Sequence, residues 1–268
     1  MAPTLEPCGT GGLRGAVGVR LHGEPPTHVT LDALETVGVR HAFTTRHHGS
    51  FPGLSAPGGP FAAVAAGPAL VALGIDGPAV CFARQVHGTE SLVVDGAPPG
   101  LVGTGDALVT TTRRCPLAVF TADCLAVVLA DPERRVLAVA HVGWRGTVGG
   151  LLGRLVRTLA TGFDVRPEVL RVAIGPSIGP CCYEVDEPVI GPLRRAFPGE
   201  WARWVDPRGP GKWRLDLWQA NADQLTAAGV RSERIWNPRL CTGCRRDLFF
   251  SYRKEGSRGS LAALALLG

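Results

Sequence analysis

Along most of this chain, apolar residues recur either every second position or with helical spacing, and the two patterns take turns. Residues 80–87 alternate: Val80, Phe82 and Val86 face one way, and Cys81, Ala83, Gln85 and His87 the other. Residues 117–129 form an apolar run interrupted by Thr121-Ala122-Asp123, and residues 136–141 form a second apolar strand. Over residues 147–160, Leu152, Leu155, Val156 and Leu159 share one side and Arg154 and Arg157 the other, which predicts an amphipathic helix. Asp216 opens another helix, with Leu217, Asn221, Leu225 and Ala228 in register and Gly229 ending it. Residues 249–252 and 261–267 predict two closing strands across a polar turn at 253–259. Short strands interleaved with helices predict an α/β fold of mixed sheets with covering helices.

Two stretches break the pattern. Residues 1–35, rich in Gly and Pro, are set apart as an N-terminal extension, partly disordered at its start, and residues 36–268 as one domain. Residues 49–78 read as a long loop with one short helix near 61–66. A 45% hydrophobic, 19% charged composition suits a globular chain. No run reaches the ~18–20 apolar residues of a membrane span, and the first thirty residues lack a secretory apolar core, so a cytoplasmic protein is expected. The net charge of +5 comes from dispersed Arg rather than a basic run. That balance favours small anionic substrates over nucleic acid. It leaves the oligomeric state open.

Candidate chemistry gathers on one hairpin. Asp131-Pro132-Glu133-Arg134 has the residue order of a type I turn. If residues 131 and 134 flank the turn, Cys124 lies directly opposite His141, with Cβ atoms ~4.5–5.5 Å apart. A thiol and an imidazole so placed serve as a nucleophile–base pair or as two ligands of one ion. His87, at the end of the strand over 80–87, tips the balance toward a metal: two imidazoles and a thiolate from three strands leave a fourth, open position. Beyond His141, Gly143-Trp144-Arg145-Gly146-Thr147 leads into a helix whose start near Thr147 would attract an anion, with Arg145 as a phosphate partner. Cys241 and Cys244 form a lone CxxC with no second pair nearby; a structural zinc site closes four ligands, so the pair is expected to be dispensable for metal content and activity. Cys181 and Cys182 are expected to pack as small apolar groups.

The motifs Thr44-Thr45-Arg46, Gln85-Val86-His87-Gly88, Gly105-Asp106-Ala107-Leu108-Val109-Thr110, Thr121-Ala122-Asp123-Cys124 and His141-Val142-Gly143-Trp144-Arg145-Gly146 occur in that order. They are followed by Gly175-Pro176-Ser177-Ile178-Gly179-Pro180-Cys181-Cys182-Tyr183-Glu184, Leu215-Asp216-Leu217-Trp218, Cys241-Thr242 and Phe249-Phe250-Ser251-Tyr252-Arg253. From about residue 41 onward the chain closely resembles the laccase-domain family, whose names include multicopper polyphenol oxidoreductase, purine nucleoside phosphorylase and peptidoglycan editing factor. The resemblance implies a single domain in α/β/β/α layers and a zinc site at His87, Cys124 and His141. It implies phosphorolysis of adenosine, inosine and methylthioadenosine, and deamination of adenosine. The chain departs from the family pattern at His48, at Ala126 and in the shortened stretch after Ser50.

Counting limits the alternatives. A multicopper oxidase needs ~ten His ligands with His-x-His pairs, and this chain has seven His and no such pair. The zinc nucleobase deaminase signature, His-x-Glu followed by Pro-Cys-x-x-Cys, is also absent. The expected reading is an enzyme acting on small nucleosides and phosphate with about one Zn2+, Cu2+ being an alternative occupant in vitro. Arg46, Gln85 and Arg145 are the candidate substrate-binding residues and Asp123 the candidate proton carrier. The alternatives are a Cys–His amidase acting on cell-wall precursors, with Cys124 as nucleophile and His141 as base, a copper-dependent polyphenol oxidase, and a metal-holding module without catalysis.

Overall fold

Every residue of Leu125–Asp131 and Val136–Val142 is buried, as a continuous apolar run requires of strands covered on both faces. In a computed structural model that describes residues 18–51 and 67–268, these strands are the centre of a six-stranded sheet. Its order is Ile235–Trp236, Arg171–Ile174, Leu125–Asp131, Val136–Val142, Ala107–Thr110, Ser91–Val93. A seven-stranded sheet runs Val19–His22, His28–Leu31, Val39–Thr44, Leu261–Leu267, Leu117–Thr121, Cys81–Arg84, Gly100–Thr104. Both sheets mix parallel and antiparallel pairs. A small three-stranded sheet joins Glu184–Val185, Lys212–Leu215 and Val205–Gly209.

Alternation sorts the side chains into layers. Ala126, Val128, Ala130, Leu137 and Val139 of the six-stranded sheet meet Phe43, Cys81, Ala83, Val119 and Ala263 of the other in one core between the sheets. The opposite face of the six-stranded sheet carries Leu125, Val127, Leu129 and Ala138 against helices Leu151–Phe163 and Leu217–Ala227. The outer face of the seven-stranded sheet, with Ala42, Phe82 and Leu264, is covered by helix Pro68–Leu73. The layers are α/β/β/α, and the mixed α/β class expected from the pattern is the one observed.

Several expectations change in detail. The interruption at Thr121-Ala122-Asp123 is a crossing, for Leu117–Thr121 belongs to one sheet and Leu125–Asp131 to the other. The described part of the expected extension, residues 18–35, contributes two short strands: His28–Leu31 pairs with Val39–Thr44 and Val19–His22 with His28–Leu31, so the sheet does not begin at residue 36. The helix expected at 61–66 lies outside the described residues. Helix 147–160 is two helices, Trp144–Val148 and Leu151–Phe163, divided at Gly150 with its φ of 71°. Asp216 caps Leu217–Ala227 by accepting the Gln219 N–H at 2.9 Å, and Gly229 follows its end with φ 98°, as expected. Of the two closing strands only Leu261–Leu267 forms, while Tyr252–Glu255 is a short helix. The Ser251 carbonyl accepts the Glu255 N–H there, closing a helical turn instead of a ladder.

Candidate active site

The hairpin register differs from the expected one. Asp131 Oδ1 accepts the N–H groups of Glu133 and Arg134 at 2.8 and 3.1 Å, and Arg135 adopts φ 54°, so the loop closes on four residues and Asp131 pairs with Val136. His141 therefore lies opposite Ala126, not Cys124. The slip is two places, and side chains alternate with period two, so Cys124 keeps the face of His141. Cys124 sits just before the strand, opposite Gly143, where a Cβ would lie only 3.0 Å from its Sγ. Glycine at 143 leaves the space in which the sulfur meets its neighbours.

His87 arrives by a different route than the alternation predicts. Its strand stops at Arg84, Val86 is 53% exposed, and His87 takes φ 59°, a conformation that costs a non-glycine residue about 1–3 kcal/mol. The buried Asp106 carboxylate compensates by accepting the backbone N–H groups of Val86, His87 and Gly88 at 3.1, 3.0 and 2.7 Å. The same carboxylate accepts a hydrogen bond from His141 Nδ1 at 2.9 Å. This fixes the tautomer of His141 and leaves Nε2 for the site, the arrangement common to metal-ligating histidines. One ligand atom from each of His87, Cys124 and His141 lies within 4.8 Å of the other two, and the imidazole rings stand at 79° to each other.

Charge is strongly coupled in this trio. Burial pushes the Cys124 thiol up, but hydrogen bonds from His141 and His87 outweigh it and bring it down to about 6. Burial disfavours a charged His141, while Asp106 and Cys124 hold its proton and raise it to about 9. Burial also acts against a charged Asp106, but His141 and the clamped N–H groups keep it below the usual carboxylate range. The group is a thiolate–imidazolium–carboxylate chain, or a set of ligands ready to exchange its protons for a cation.

The trio lines a cavity of about 650 Å³ with Phe120, Trp144, Arg145, Ile178, Tyr183, Tyr252 and Arg253 among its walls. Arg145 lies over the Trp144 ring at 4.4 Å and Arg253 over Tyr183 at 5.1 Å. Asp123, with φ 93°, also faces the cavity, but its two oxygens accept from the Thr242 hydroxyl at 2.6 Å and the Arg253 N–H at 2.7 Å. Those bonds tie three loops together, a turn-holding role. Gln85 lines the cavity while its amide is committed to the Phe120 N–H and carbonyl, both at 2.7 Å.

Two expectations are not met. Arg46 is not among the lining residues: its guanidinium donates to the Phe249 carbonyl at 3.0 Å and to Glu255 at 2.6 Å, bracing the segment that bears Tyr252 and Arg253. Thr147 is buried within the Trp144–Val148 helix, and its hydroxyl donates to Gly143 and accepts from Asn221. It does not start the helix. His47 and His48 stay outside the trio, His47 against the Asp247 carbonyl and His48 stacked on Phe51. Asp106, Tyr183 and Tyr252 stand in sequence motifs that give them no role, and Phe120 in a plain apolar run. Nothing in its local sequence marks Asp106, since its burial and its four donors arise only in the fold.

Among the described residues no helix is long and apolar enough to cross a membrane. The chain is 39% identical over 243 residues to a purine nucleoside phosphorylase of Deinococcus radiodurans, covering 85% of this chain and 89% of that one. It is 34% identical over 194 residues to adenosine deaminase RL5 from an unknown prokaryotic organism, covering 69% and 73%. The crystal structure of YlmD from Geobacillus stearothermophilus superposes with a TM-score of 0.82 at 31% identity, covering 92% of this chain and 98% of that one. Residues 40–268 match the family model described as multi-copper polyphenol oxidoreductase laccase, and the chain belongs to that family.

Proposed function

We propose that this chain is a zinc-dependent purine nucleoside enzyme that phosphorolyses adenosine, inosine and methylthioadenosine and deaminates adenosine. The observation that carries this reading is the open cluster His87–Cys124–His141 at the wall of a cavity that also presents two arginines. A sulfur and two imidazoles, one with its tautomer already set by Asp106, are donors that suit Zn2+. When bound, the ion supplies Lewis-acid activation of a water or of a substrate atom. The protein side chains do the rest. Phe120, Trp144, Tyr183 and Tyr252 offer aromatic surface to a purine, and Arg145 and Arg253 offer guanidinium groups to phosphate. Asp106 holds His141 in orientation, while Asp123 keeps the Arg253 backbone beside the cluster. Purified protein given a nucleoside panel with and without phosphate is expected to yield free base and ribose 1-phosphate only with phosphate, and inosine from adenosine in both. Full activity after exhaustive chelation would reject the metal.

The same geometry favours one second reading. Cys124, His141 and Asp106 stand as nucleophile, base and orienting carboxylate, the set a Cys–His amidase of cell-wall precursors needs. Such an amidase works in chelator and is silenced by thiol alkylation.

A further inference from the structure

Cys241-Thr242-Gly243-Cys244 is half of a metal site in sequence; in the fold its complement is Cys181-Cys182, about sixty residues earlier. The expectation that this second pair merely packs, and that the first lacks partners, is corrected by the way both segments turn. The Gly179 carbonyl accepts the N–H groups of Cys182 and Tyr183 at 2.9 and 3.0 Å, and the Cys241 carbonyl accepts that of Arg245 at 2.9 Å. Both segments are thus single helical turns. On such a turn neighbouring residues diverge by about 100° instead of the 180° of a strand, so even adjacent cysteines aim toward one point. Residues three apart, as 241 and 244 are, share a face. The two turns face each other, and their four sulfurs lie within 4.8 Å of one another.

We infer that Cys181, Cys182, Cys241 and Cys244 form a second metal site, a closed four-thiolate site for Zn2+ that is structural and separate from the cavity cluster. Sulfur separations of 3.4 Å for Cys181–Cys244 and 3.6 Å for Cys182–Cys244 approach the edge of about 3.8 Å in a tetrahedron with Zn–S of ~2.3 Å. They exceed the ~2.05 Å of a disulfide, and among the described residues no disulfide joins any of the four. The Gly179 N–H donates to Cys241 Sγ at 3.2 Å, an outer-shell bond of the kind that supports a thiolate ligand. Gly243 is a further sign that the turns are built to meet: a Cβ there would stand 2.8 Å from Cys182 Cβ and 2.9 Å from its Sγ. Binding replaces four S–H bonds by four Zn–S bonds and releases the protons to solvent.

The site would cross-link one segment of the cavity wall to the loop that braces it. The Cys181–Cys182 turn lies between Ile178 and Tyr183, both lining the cavity. Cys241 bridges to Ser177, and its neighbour Thr242 holds Asp123. An ion here orders the wall without touching substrate.

The test is a metal count on the full chain purified under reducing conditions with zinc present. Wild type is expected to carry two equivalents and Cys124→Ala one, the latter with a sulfur-only shell at about 2.3 Å in X-ray absorption. Cys241→Ser combined with Cys244→Ser is expected to lose one equivalent while keeping the other in a mixed sulfur–nitrogen shell. If that double variant does not fold, the Cys124→Ala count and its absorption spectrum decide alone. No zinc in folded Cys124→Ala, two equivalents retained in the double serine variant, or a disulfide among these cysteines in freshly isolated wild type would each overturn the proposal.

Discussion

The two cysteine-bearing clusters of this molecule are built on opposite plans. His87, Cys124 and His141 come from three separated segments, mix nitrogen with sulfur, and open onto a cavity. Cys181, Cys182, Cys241 and Cys244 come from two matching turns, offer sulfur alone, and have no place in the cavity lining. Around an ion, the first arrangement would leave a coordination position for a reacting molecule, and the second would fill all four with protein. The contrast teaches that ligand geometry separates chemistry from bracing even within one chain.

Substitutions are expected to widen the contrast. Cys124→Ala is expected to lower kcat/KM for nucleosides by more than about a hundredfold, beyond the 10–100-fold typical of an outer-shell change. Cys244→Ser is expected to keep kcat/KM within about tenfold while lowering the melting temperature by several degrees, since loss of a structural ion acts on folding first. Similar activity losses from both, in a nucleoside assay paired with thermal melts, would erase the distinction. Asp106→Asn should follow, with metal affinity or activity down about 10–100-fold, because it weakens the grip on His141 and on the 86–88 backbone together. Gly143→Ala should cost about tenfold or less, as its Cβ displaces Cys124 Sγ by a few tenths of an ångström, close to the range in which well-supported ligands tolerate movement.

Acid and base sharpen the comparison further. In metal-free protein the Cys124 thiol, brought down from 9 to about 6, should react with iodoacetamide at half its maximal rate near pH 6 and reach a plateau above pH 7. A half-point near 9, read by peptide mass spectrometry, would mean that the imidazoles do not share its charge. A smaller effect is expected outside both clusters. Burial, followed by the neighbouring His22, His48 and His41, lowers His28 from 6.5 to about 4. The unfolded chain therefore takes up a proton near pH 6.5 that the folded chain refuses until about 4. Stability from this residue is full above 6.5 and declines through that window, and His28→Asn should flatten the fall in melting temperature.

How much of this could be read before the fold was in view depended on whether the signal was local. The central strands, the cap at Asp216 and the faces of Val80, Cys81, Phe82 and Ala83 follow from periodicity and turn chemistry, which act over a few residues. The trio was legible because two of its members flank one hairpin, and a register error of two residues preserves the face. Arg46 was misplaced because its motif says nothing about Glu255, some two hundred residues away, which claims its charge. The four-cysteine group was missed for the same reason, since the approach of residues 179–182 to 241–245 is decided by tertiary packing. Asp106 has no local signature either, as all four of its donors come from other segments.

The Asp106 clamp has a mechanical consequence. His87 hangs from the seven-stranded sheet, His141 belongs to the six-stranded one, and Cys124 lies where the chain passes between them. One carboxylate thus laces both leaves of the sandwich at its rim, and an occupant held by the trio becomes a clasp across the seam. A ligand at a hundred times its dissociation constant adds about 2.7 kcal/mol to whatever it clasps. Resistance to shearing of the two leaves should therefore rise and fall with occupancy of the site, making the sandwich itself a gauge of what is bound at its edge.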